Sequence, residues 1–372
     1  MERRIAVIIP GGVQREQNIP ALVGLLSELS KSNNIHLYSF SDGALHPSLE
    51  RPEVHREVPP KMLQWSNLLS LTYFFFKIQT DHSRYAFSML HSFWIHPAGL
   101  TGLIANMILK IPFVLTLPGG DTVYLKTIKY GGMRSPFHRA VIRWCCRRVD
   151  RVTILSRYQE SIMKTNRVCP KITAIIPFGV DIKEFPYRPK ELSFPLRLVS
   201  VGDINRVKDI FLQIETMSIL RRTVDCRLTI VGTDQLKGMT REYARALGVD
   251  EFMDWAGGRP HSEIPAILQS CQFLLHTSMY DAQAVVVMEA FATGTAVVGT
   301  RVGTLSDMEG HEAFTVSERD PSLLAEKILQ LIGNPEKIDS IRKNNRTYAK
   351  EHSIEWTAAQ FQKLYQEMIA TA

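Results

Sequence analysis

Patterns that mark several large protein classes are missing from this sequence of 372 residues. Its five cysteines are odd in number and include no C-x-x-C pair, which argues against a disulfide scaffold and a cysteine-based zinc site. The N-terminal Met1-Glu-Arg-Arg leads into only five apolar residues, too few for the hydrophobic region of a signal peptide. These absences predict a protein of a reducing, cytoplasmic compartment.

Short motifs of nucleotide, metal and hydrolase chemistry are also missing. No two glycines have the G-x-G spacing of dinucleotide-binding loops, and no G-x-x-x-x-G-K-[ST] phosphate loop is present. The sequence contains no H-E-x-x-H, no D-x-D and no G-x-S-x-G. We therefore expect neither a bound metal nor a cofactor, and a hydrolase with a serine nucleophile is disfavoured.

A continuous membrane-spanning segment is not expected either. Residues 85–109 contain no Lys, Arg, Asp or Glu over 25 positions, a length that could cross a bilayer. Pro97 and Gly99 interrupt the middle of this segment. It therefore predicts a buried strand at Ala86–Leu90, a loop, and a buried helix at Ala98–Leu109.

Charge is distributed unevenly along the chain. Residues 1–190 hold 25 Lys and Arg against 13 Asp and Glu, a net charge of +12, and residues 191–372 hold 19 against 24, a net charge of −5. Halves of opposite sign indicate two domains with different partners. The basic half points to an anionic surface, either lipid headgroups or nucleic acid, unless the charge is incidental.

Short apolar runs alternate with helical patterns along the chain. Predicted strands are Ile5–Ile9, His36–Phe40, Ala86–Leu90, Phe113–Leu117, Arg151–Leu155, Ile172–Ile176, Leu196–Val201, Cys226–Val231, Phe252–Trp255, Phe273–His276 and Ala296–Gly299. Predicted helices are Gln17–Lys31, Leu63–Lys77, Ala98–Leu109, Pro136–Arg148, Lys208–Arg221, Thr240–Leu247, Ser262–Gln269 and Val285–Thr293. Four prolines within residues 177–195 mark a linker, and only helices are expected from Pro321 onward. The pattern predicts an α/β protein of two tandem doubly wound domains whose ligand site lies in a cleft between them.

Two loops are candidates for phosphate binding. Pro10-Gly11-Gly12-Val13 follows the first strand, where glycine lets the backbone approach a phosphate or a sugar. Lys208 ends the loop that follows the Leu196–Val201 strand and stands near the start of a helix. A plain tight turn and a solvated lysine are the respective alternatives.

The most informative segment runs from His276 to Val298. Asp281 precedes an apolar helix and Glu289 lies inside it, eight residues later. A buried glutamate needs donors, such as ribose hydroxyls, and small residues before the helix leave its amides accessible to a phosphate. A structural ion pair is the alternative.

This segment and several others resemble those of the family 4 retaining glycosyltransferases. The segment Tyr280–Val298 resembles their E-x7-E region, Y-E-G-F-G-L-V-x-L-E-A-M-A-x-G-x-P-V-V. Six further segments match in order: Pro10-Gly-Gly, His91 (D-V-V-H), Thr116-Leu-Pro-Gly-Gly-Asp121 (T-x-H-G-x-D), Ile176-Pro-Phe-Gly-Val-Asp181 with Phe185 (I-P-N-G-V-D-x-x-x-F), Val201-Gly-Asp-Ile-Asn-Arg-Val-Lys208 (V-G-R-L-x-x-x-K) and Trp356. The resemblance implies the GT-B fold of two Rossmann-like domains, with acceptor-binding residues 1–185, nucleotide-sugar-binding residues 186–354, and a C-terminal helix, 355–372, that crosses back to the first domain.

The resemblance also implies a function and roles for residues. The function is metal-independent transfer of a sugar, with retention, from a nucleotide-diphosphate-sugar to an acceptor hydroxyl in cell-surface polysaccharide or glycolipid synthesis, with no bound cofactor and no nucleic acid. Asp281 and Asp121 are the implied catalytic residues, and His91 lies on the acceptor side. The implied donor-binding residues are Gly11, Gly12, Arg206, Lys208, Gln283, Ala284, Val285 and Glu289.

Four departures from the family pattern leave a second function open. Asp203 replaces an arginine, Asp281 replaces a glutamate, Gln283-Ala284 replaces F-G, and Pro118 replaces the pocket histidine. A negative charge at Asp203 should weaken diphosphate binding unless it points away, and Arg206 could substitute for the missing arginine. The alternatives are a catalytically impaired relative that binds a sugar nucleotide or a partner enzyme, and a sugar-nucleotide epimerase.

The basic first half includes a candidate membrane-binding surface. Arg139, Arg143 and Arg147 recur every four residues in the predicted helix Pro136–Arg148 and would form one stripe. Leu63–Phe76 is uncharged and carries five aromatic residues, namely Trp65, Tyr73, Phe74, Phe75 and Phe76. Basic residues near aromatic anchors are typical of peripheral membrane proteins, so contact with the anionic inner face of the membrane is predicted. The alternative is a solvated helix face beside a core helix.

Overall fold

The computed structural model describes residues 3–64, 66–308, 314–316 and 319–371. The chain divides into two compact units. The first unit comprises Met1–Phe178 and Ile354–Ala372, and the second comprises Gly179–Ser353.

The first unit is built on a parallel sheet of seven strands in the order β3-β2-β1-β4-β5-β6-β7. The strands are β1 (Arg3–Ile9), β2 (Asn33–Ser39), β3 (Val54–Glu57), β4 (Met89–Phe93), β5 (Phe113–Thr116), β6 (Arg151–Ile154) and β7 (Thr173–Ile175). The helices between them are α1 (Pro20–Ser30), α2 (Asn67–Tyr85), α3 (Leu100–Leu109), α4 (Pro136–Arg148) and α5 (Arg157–Thr165). Residues on both faces of the central strands are buried, as expected of a parallel sheet.

The second unit repeats this architecture with six parallel strands in the order β10-β9-β8-β11-β12-β13. The strands are β8 (Leu196–Val201), β9 (Cys226–Val231), β10 (Met253–Gly257), β11 (Phe273–His276), β12 (Ala296–Thr300) and β13 (Phe314–Val316). The helices are α6 (Ile210–Leu220), α7 (Met239–Ala246), α8 (Ile264–Ser270), α9 (Val285–Thr293), α10 (Gly303–Asp307), α11 (Pro321–Ile332) and α12 (Pro335–Glu351).

The last helix, α13 (Ile354–Ala370), belongs to the first unit, where it packs against α1. Gly24 of α1 faces Ile354, and a Cβ atom there would make an ordinary van der Waals contact at 3.4 Å. Phe361 and Tyr365 of α13 are fully buried. The prediction that a C-terminal helix crosses back to the first domain is confirmed.

Several predicted elements need correction. The predicted strand Ala86–Leu90 is wrong at its start, because Ala86 caps the C-terminus of α2 in a left-handed conformation with φ of 51° and β4 begins only at Met89. Helix α2 extends to Tyr85, eight residues beyond its predicted end. Within the part of the chain that the structure describes, no helix is both long and apolar enough to cross a membrane.

Candidate functional site

Lys208 and Asp281 form the centre of the candidate site in the second unit. β8 and β11 are parallel neighbours, so the loops that follow them emerge at the same edge of the sheet. The Lys208 Nζ donates a hydrogen bond to Asp281 Oδ2 at 2.8 Å, and the Nε2 atom of His276 lies 3.1 Å from the same oxygen. Burial alone would raise the pKa of Asp281, but the charge of Lys208 and the contact with His276 outweigh it and hold that pKa well below its usual range.

The backbone around Lys208 is fixed by hydrogen bonds. Asn205 Oδ1 accepts from the backbone N–H groups of Val207 and Lys208, each at 3.1 Å. The Thr277 hydroxyl at the end of β11 donates to the Lys208 carbonyl at 2.9 Å. Asp209, which directly precedes α6 and has φ of 52°, pairs its buried carboxylate with Arg319. Hydrogen bonds on both sides of Lys208 therefore fix the backbone from which its side chain projects.

Glu289 lies on α9 and is 7% exposed. Its Oε1 atom is 2.9 Å from the Nε2 atom of His261. Burial lowers the pKa of His261, but the hydrogen bond and charge of Glu289 outweigh this effect and raise that pKa above its ordinary value. Asp281 and Glu289 thus pair with different side chains, Lys208 and His261.

The start of α9 is shaped by backbone contacts. Ala284 precedes the helix in a left-handed conformation with φ of 69°, and its methyl group cannot cap the N–H groups of the first turn. The carbonyl of the buried Gln283 accepts from Thr304 N at 2.8 Å. A Cβ atom on Gly303 would lie 2.6 Å from that carbonyl oxygen, so glycine is required there. Helix α9 begins at Val285, and Ala284 supplies no side-chain cap to its positive, N-terminal end.

The Asp203 carboxylate is engaged with the neighbouring loop. It accepts from Thr233 N at 3.2 Å and from Gln235 Nε2 at 2.9 Å, which joins the loops after β8 and β9. Arg206 is exposed on the loop that leads to Lys208. The negative charge of Asp203 is therefore partly balanced by donors from the second loop.

In the first unit, the loop after β1 is internally hydrogen bonded. The N–H groups of Gly12 and Val13 donate to Gln14 Oε1 at 2.9 and 3.1 Å. Gly12 has φ of 87°, and a Cβ atom there would lie 2.7 Å from Ile19 Cδ1. A Cβ atom on Gly11 would likewise lie 2.6 Å from the hydroxyl of Ser41. The positive φ of Gly12 favours glycine there, but the Gly12 amide is already bound by the Gln14 side chain, which was not predicted.

His91 is enclosed within the first unit, and its predicted place on the acceptor side stays a prediction. It is fully buried on β4, with Nδ1 2.6 Å from the Tyr365 hydroxyl and Nε2 2.7 Å from the Thr116 hydroxyl. Its ring stacks on Phe93 at 4.3 Å between centroids. Burial lowers the pKa of His91 to about 3, so the ring is neutral near pH 7. We interpret His91 as a structural residue that joins the sheet to α13.

This interpretation predicts the effect of removing one hydroxyl. Tyr365→Phe leaves the buried His91 Nδ1 without its partner and should lower the free energy of unfolding by about 1–3 kcal/mol. Urea denaturation compared with the wild-type protein measures this loss. Equal stability of the two proteins would show that the hydrogen bond contributes nothing.

Asp121 lies in the loop after β5. Its Oδ1 atom accepts from Ile95 N at 3.1 Å, whereas Oδ2 is buried and has no hydrogen-bond partner among the described residues. Burial raises the pKa of Asp121 to about 6. The carboxyl group can therefore exchange a proton close to neutral pH.

The predicted basic stripe on α4 is only partly exposed. The Arg143 guanidinium donates to the Asn166 carbonyl at 2.9 Å, so Arg143 does not contribute a free charge to the predicted basic stripe. Arg147 and Arg148 are exposed, and so are Phe137 (74%) and Trp144 (41%), which lie seven residues apart on one face. Of the aromatic residues expected on α2 and before it, Phe74 is fully buried, Phe76 is 62% exposed, and Trp65 lies outside the described residues.

Comparisons with known proteins agree with this architecture. The family model "Glycosyl transferases group 1" matches residues 187–348, and "Glycosyltransferase Family 4" matches residues 22–184. An uncharacterized glycosyltransferase of Methanocaldococcus jannaschii is 24% identical over 282 residues, which are 75% of this chain and 75% of that protein. The MMP alpha-(1->4)-mannosyltransferase of Mycolicibacterium hassiacum is 26% identical over 224 residues, 59% of this chain but only 54% of that protein.

Solved structures show the same fold. A sucrose-phosphate synthase from Thermosynechococcus elongatus superposes with a TM-score of 0.77 at 16% identity and covers 100% of both chains. HepE of Anabaena, solved with UDP and glucose, gives a TM-score of 0.77 at 18% identity over 98% of this chain and 100% of that chain. The predicted fold class, two tandem Rossmann-like domains of the GT-B type, is confirmed.

Proposed function

The chain is a glycosyltransferase, and we propose that it moves a sugar from a nucleotide-diphosphate-sugar to an acceptor hydroxyl with retention and without a metal. The observation that carries the proposal is the Lys208–Asp281 pair at the strand edge of the second unit, with Glu289 buried on the helix that follows Asp281. A cation and two carboxylates of this kind match the charged and hydroxyl groups of a nucleotide sugar.

The donor is bound by residues of the second unit in this proposal. Lys208 and the exposed Arg206 hold the diphosphate, together with the N–H groups at the start of α9 near Val285. Glu289 accepts from the ribose hydroxyls. Asp281, with the backbone at Gln283 and Ala284, holds the transferred sugar. Gly11 and Gly12 remain donor-binding predictions, and contact through the Gly12 amide requires the Gln14 side chain to move away.

Catalysis then rests on stabilising the leaving group. Negative charge develops on the diphosphate as the glycosidic bond breaks, and Lys208 and the positive end of α9 lower the energy of that state. On the acceptor side we propose Asp121, because a carboxyl group with a pKa raised to about 6 can accept a proton from a hydroxyl near neutral pH. No protein nucleophile is required.

A panel of nucleotides tests the proposal. We expect one of UDP, GDP and ADP to raise the melting temperature, and its sugar derivative to be transferred or slowly hydrolysed. UDP is the first candidate, because HepE was solved with UDP and with UDP-glucose. Activity that persists in EDTA supports metal independence, and the anomeric configuration of the product, read by NMR, tests retention. No shift with any of the three diphosphates would contradict the proposal.

The alternative function is a catalytically impaired protein that binds a sugar nucleotide or a partner enzyme. Pro118, which replaces a pocket histidine and can neither donate through its side chain nor carry charge, favours this alternative. Binding in the nucleotide panel without hydrolysis or transfer of any donor would support it.

We further propose that the acceptor is a polysaccharide or glycolipid at the inner face of the membrane, reached through the α4 surface. Phe137 and Trp144 on that surface are exposed aromatic residues, and Arg147 and Arg148 stand in the last turn of the same helix. Such a combination inserts rings at the lipid interface and attracts anionic headgroups.

Vesicle binding provides a separate prediction. We expect salt-sensitive binding to vesicles that contain anionic lipid and none to neutral vesicles, because each basic residue contributes about 1 kcal/mol at an anionic surface. Changing Arg139, Arg147 and Arg148 to Gln should weaken binding in a sedimentation assay, whereas Arg143→Gln should weaken it less because Arg143 is bound to Asn166. Binding that ignores salt and lipid charge would remove the membrane role.

A further inference from the structure

His276 contacts the same carboxylate oxygen as Lys208, although His276 has no role in the proposed reaction. It is the last residue of β11 and only 4% exposed, and its Nε2 atom lies 3.1 Å from Asp281 Oδ2. We propose that His276 is a positioning residue that keeps Asp281 in place when Lys208 turns to the donor diphosphate. This inference rests on the proposed function, since it requires that Lys208 binds the diphosphate.

In the proposed reaction Lys208 interacts with two anionic groups, the Asp281 carboxylate and the donor diphosphate. In the structure its ammonium group is bound to Asp281 at 2.8 Å. A diphosphate carries more negative charge than one carboxylate, so its arrival draws the ammonium group toward the phosphate oxygens. Asp281, which is mostly buried, then loses much of its counter-charge and would tend to rotate toward water.

His276 can prevent this rotation because its own position is fixed. A Cβ atom on Gly299 of β12 would lie 2.1 Å from the His276 carbonyl oxygen, so the two strand backbones are in close contact. The next residue, Thr277, donates to the carbonyls of Lys208 and Asp209. The buried Nε2 atom makes no hydrogen bond among the described residues but lies 3.1 Å from Asp281 Oδ2, so an imidazole N–H there can donate to the carboxylate once Lys208 turns away. Asp281 therefore keeps a hydrogen-bonding partner, His276, that does not also bind the nucleotide sugar.

Removing the His276 contact should affect use of the sugar more than binding of the diphosphate. Asp281 holds the sugar in the proposed function, and Lys208 holds the diphosphate. In His276→Leu the carboxylate loses its contact with the imidazole. We expect kcat/KM for the nucleotide sugar to fall at least about tenfold, a factor equivalent to one lost hydrogen bond to a charged group. The affinity for the free nucleoside diphosphate should change less than about threefold.

Four further variants make the test decisive. His276→Gln keeps an N–H donor and should recover most of the activity. His352→Gln, a half-buried histidine stacked on Tyr348 in the same unit, is the control and should behave like the wild-type protein. In a double-mutant cycle, His276→Leu should add little to the loss caused by Asp281→Asn, because both changes act on one contact. If His276→Leu does not fold, His276→Asn, whose shorter amide cannot reach Asp281, replaces it.

The outcomes distinguish this inference from the proposed function. Equal losses in His276→Leu and His276→Gln, or full additivity with Asp281→Asn, would overturn the positioning role. Normal transfer by His276→Leu would do the same and leave the proposed function intact. A wild-type protein that binds no nucleoside diphosphate would overturn the proposed function, and this inference with it.

Discussion

Glu289→Gln is expected to leave a folded protein whose kcat/KM for transfer is about 100-fold lower. The substitution keeps the size of the side chain but removes the charge that accepts from the ribose hydroxyls in the proposed function. Hydrogen bonds to charged groups contribute about 1.5–3 kcal/mol, and each 1.4 kcal/mol corresponds to about a factor of ten. Transfer rates measured over a range of donor concentrations give kcat and KM separately.

His261 supplies an independent readout of the same substitution. Glu289 raises the pKa of His261 through its hydrogen bond and charge, so Glu289→Gln should lower that pKa. An NMR titration of the imidazole measures this change without substrate. Glu242→Gln, an exposed residue on α7, is the control and should alter neither the titration nor transfer. Unchanged donor affinity and turnover in folded Glu289→Gln would place Glu289 outside the site.

The sheet strands were the most predictable part of the fold. β8, β9 and β11 begin and end at the predicted residues, because each is a short run of mainly apolar residues that is buried in a parallel sheet. The strand β3 was not predicted, since its sequence Val-His-Arg-Glu has one apolar residue and lies at a sheet edge. The helix α5 was also not predicted, although Ser156 caps its first turn by accepting from Gln159 N.

The candidate site was predictable only where one segment carries several functional residues. Asp281 and Glu289 are eight positions apart in one segment, and their placement around the start of α9 follows from that spacing. Gln14 was not predicted although it binds the amides of its own loop, one and two positions before it. His261 was not predicted, because its contact with Glu289 joins residues 28 positions apart that no local pattern links. His91 illustrates the same limit, since its partner Tyr365 is 274 residues away in the sequence.

His276 is the one missed residue for which the sequence contained a signal. It stands five positions before Asp281, at the end of a predicted buried strand where the carboxyl ends of parallel strands meet ligands. A polar residue at that place is more informative than one in the middle of a strand, where His91 lies. Position along a strand, rather than residue type, separates the two histidines.

Lys208→Ala is expected to weaken binding of the nucleoside diphosphate by about 1.5–3 kcal/mol, which corresponds to a loss of affinity of about 10- to 150-fold. The ammonium group lies 2.8 Å from Asp281 Oδ2 at the strand edge, and in the proposed function it pairs with the phosphate oxygens. Binding of the nucleoside without phosphates should not change. Calorimetric titrations with the nucleoside and its diphosphate therefore separate loss of the charge contact from general damage to the site.

The substitution also removes the principal counter-charge of Asp281. Burial then dominates over the remaining contact with His276, so the pKa of Asp281 should rise from its depressed value in the Lys208→Ala protein. A carboxylate with a depressed pKa stabilises the fold above its unfolded-state pKa, and this stabilisation is lost as the pH falls through the folded-state pKa. Lys208→Ala should therefore lose stability relative to the wild-type protein mainly at neutral pH, and the difference should shrink in acid. Lys237→Ala, an exposed lysine of the same unit, is the matched control, and equal diphosphate affinity of Lys208→Ala and wild type would place Lys208 outside the site.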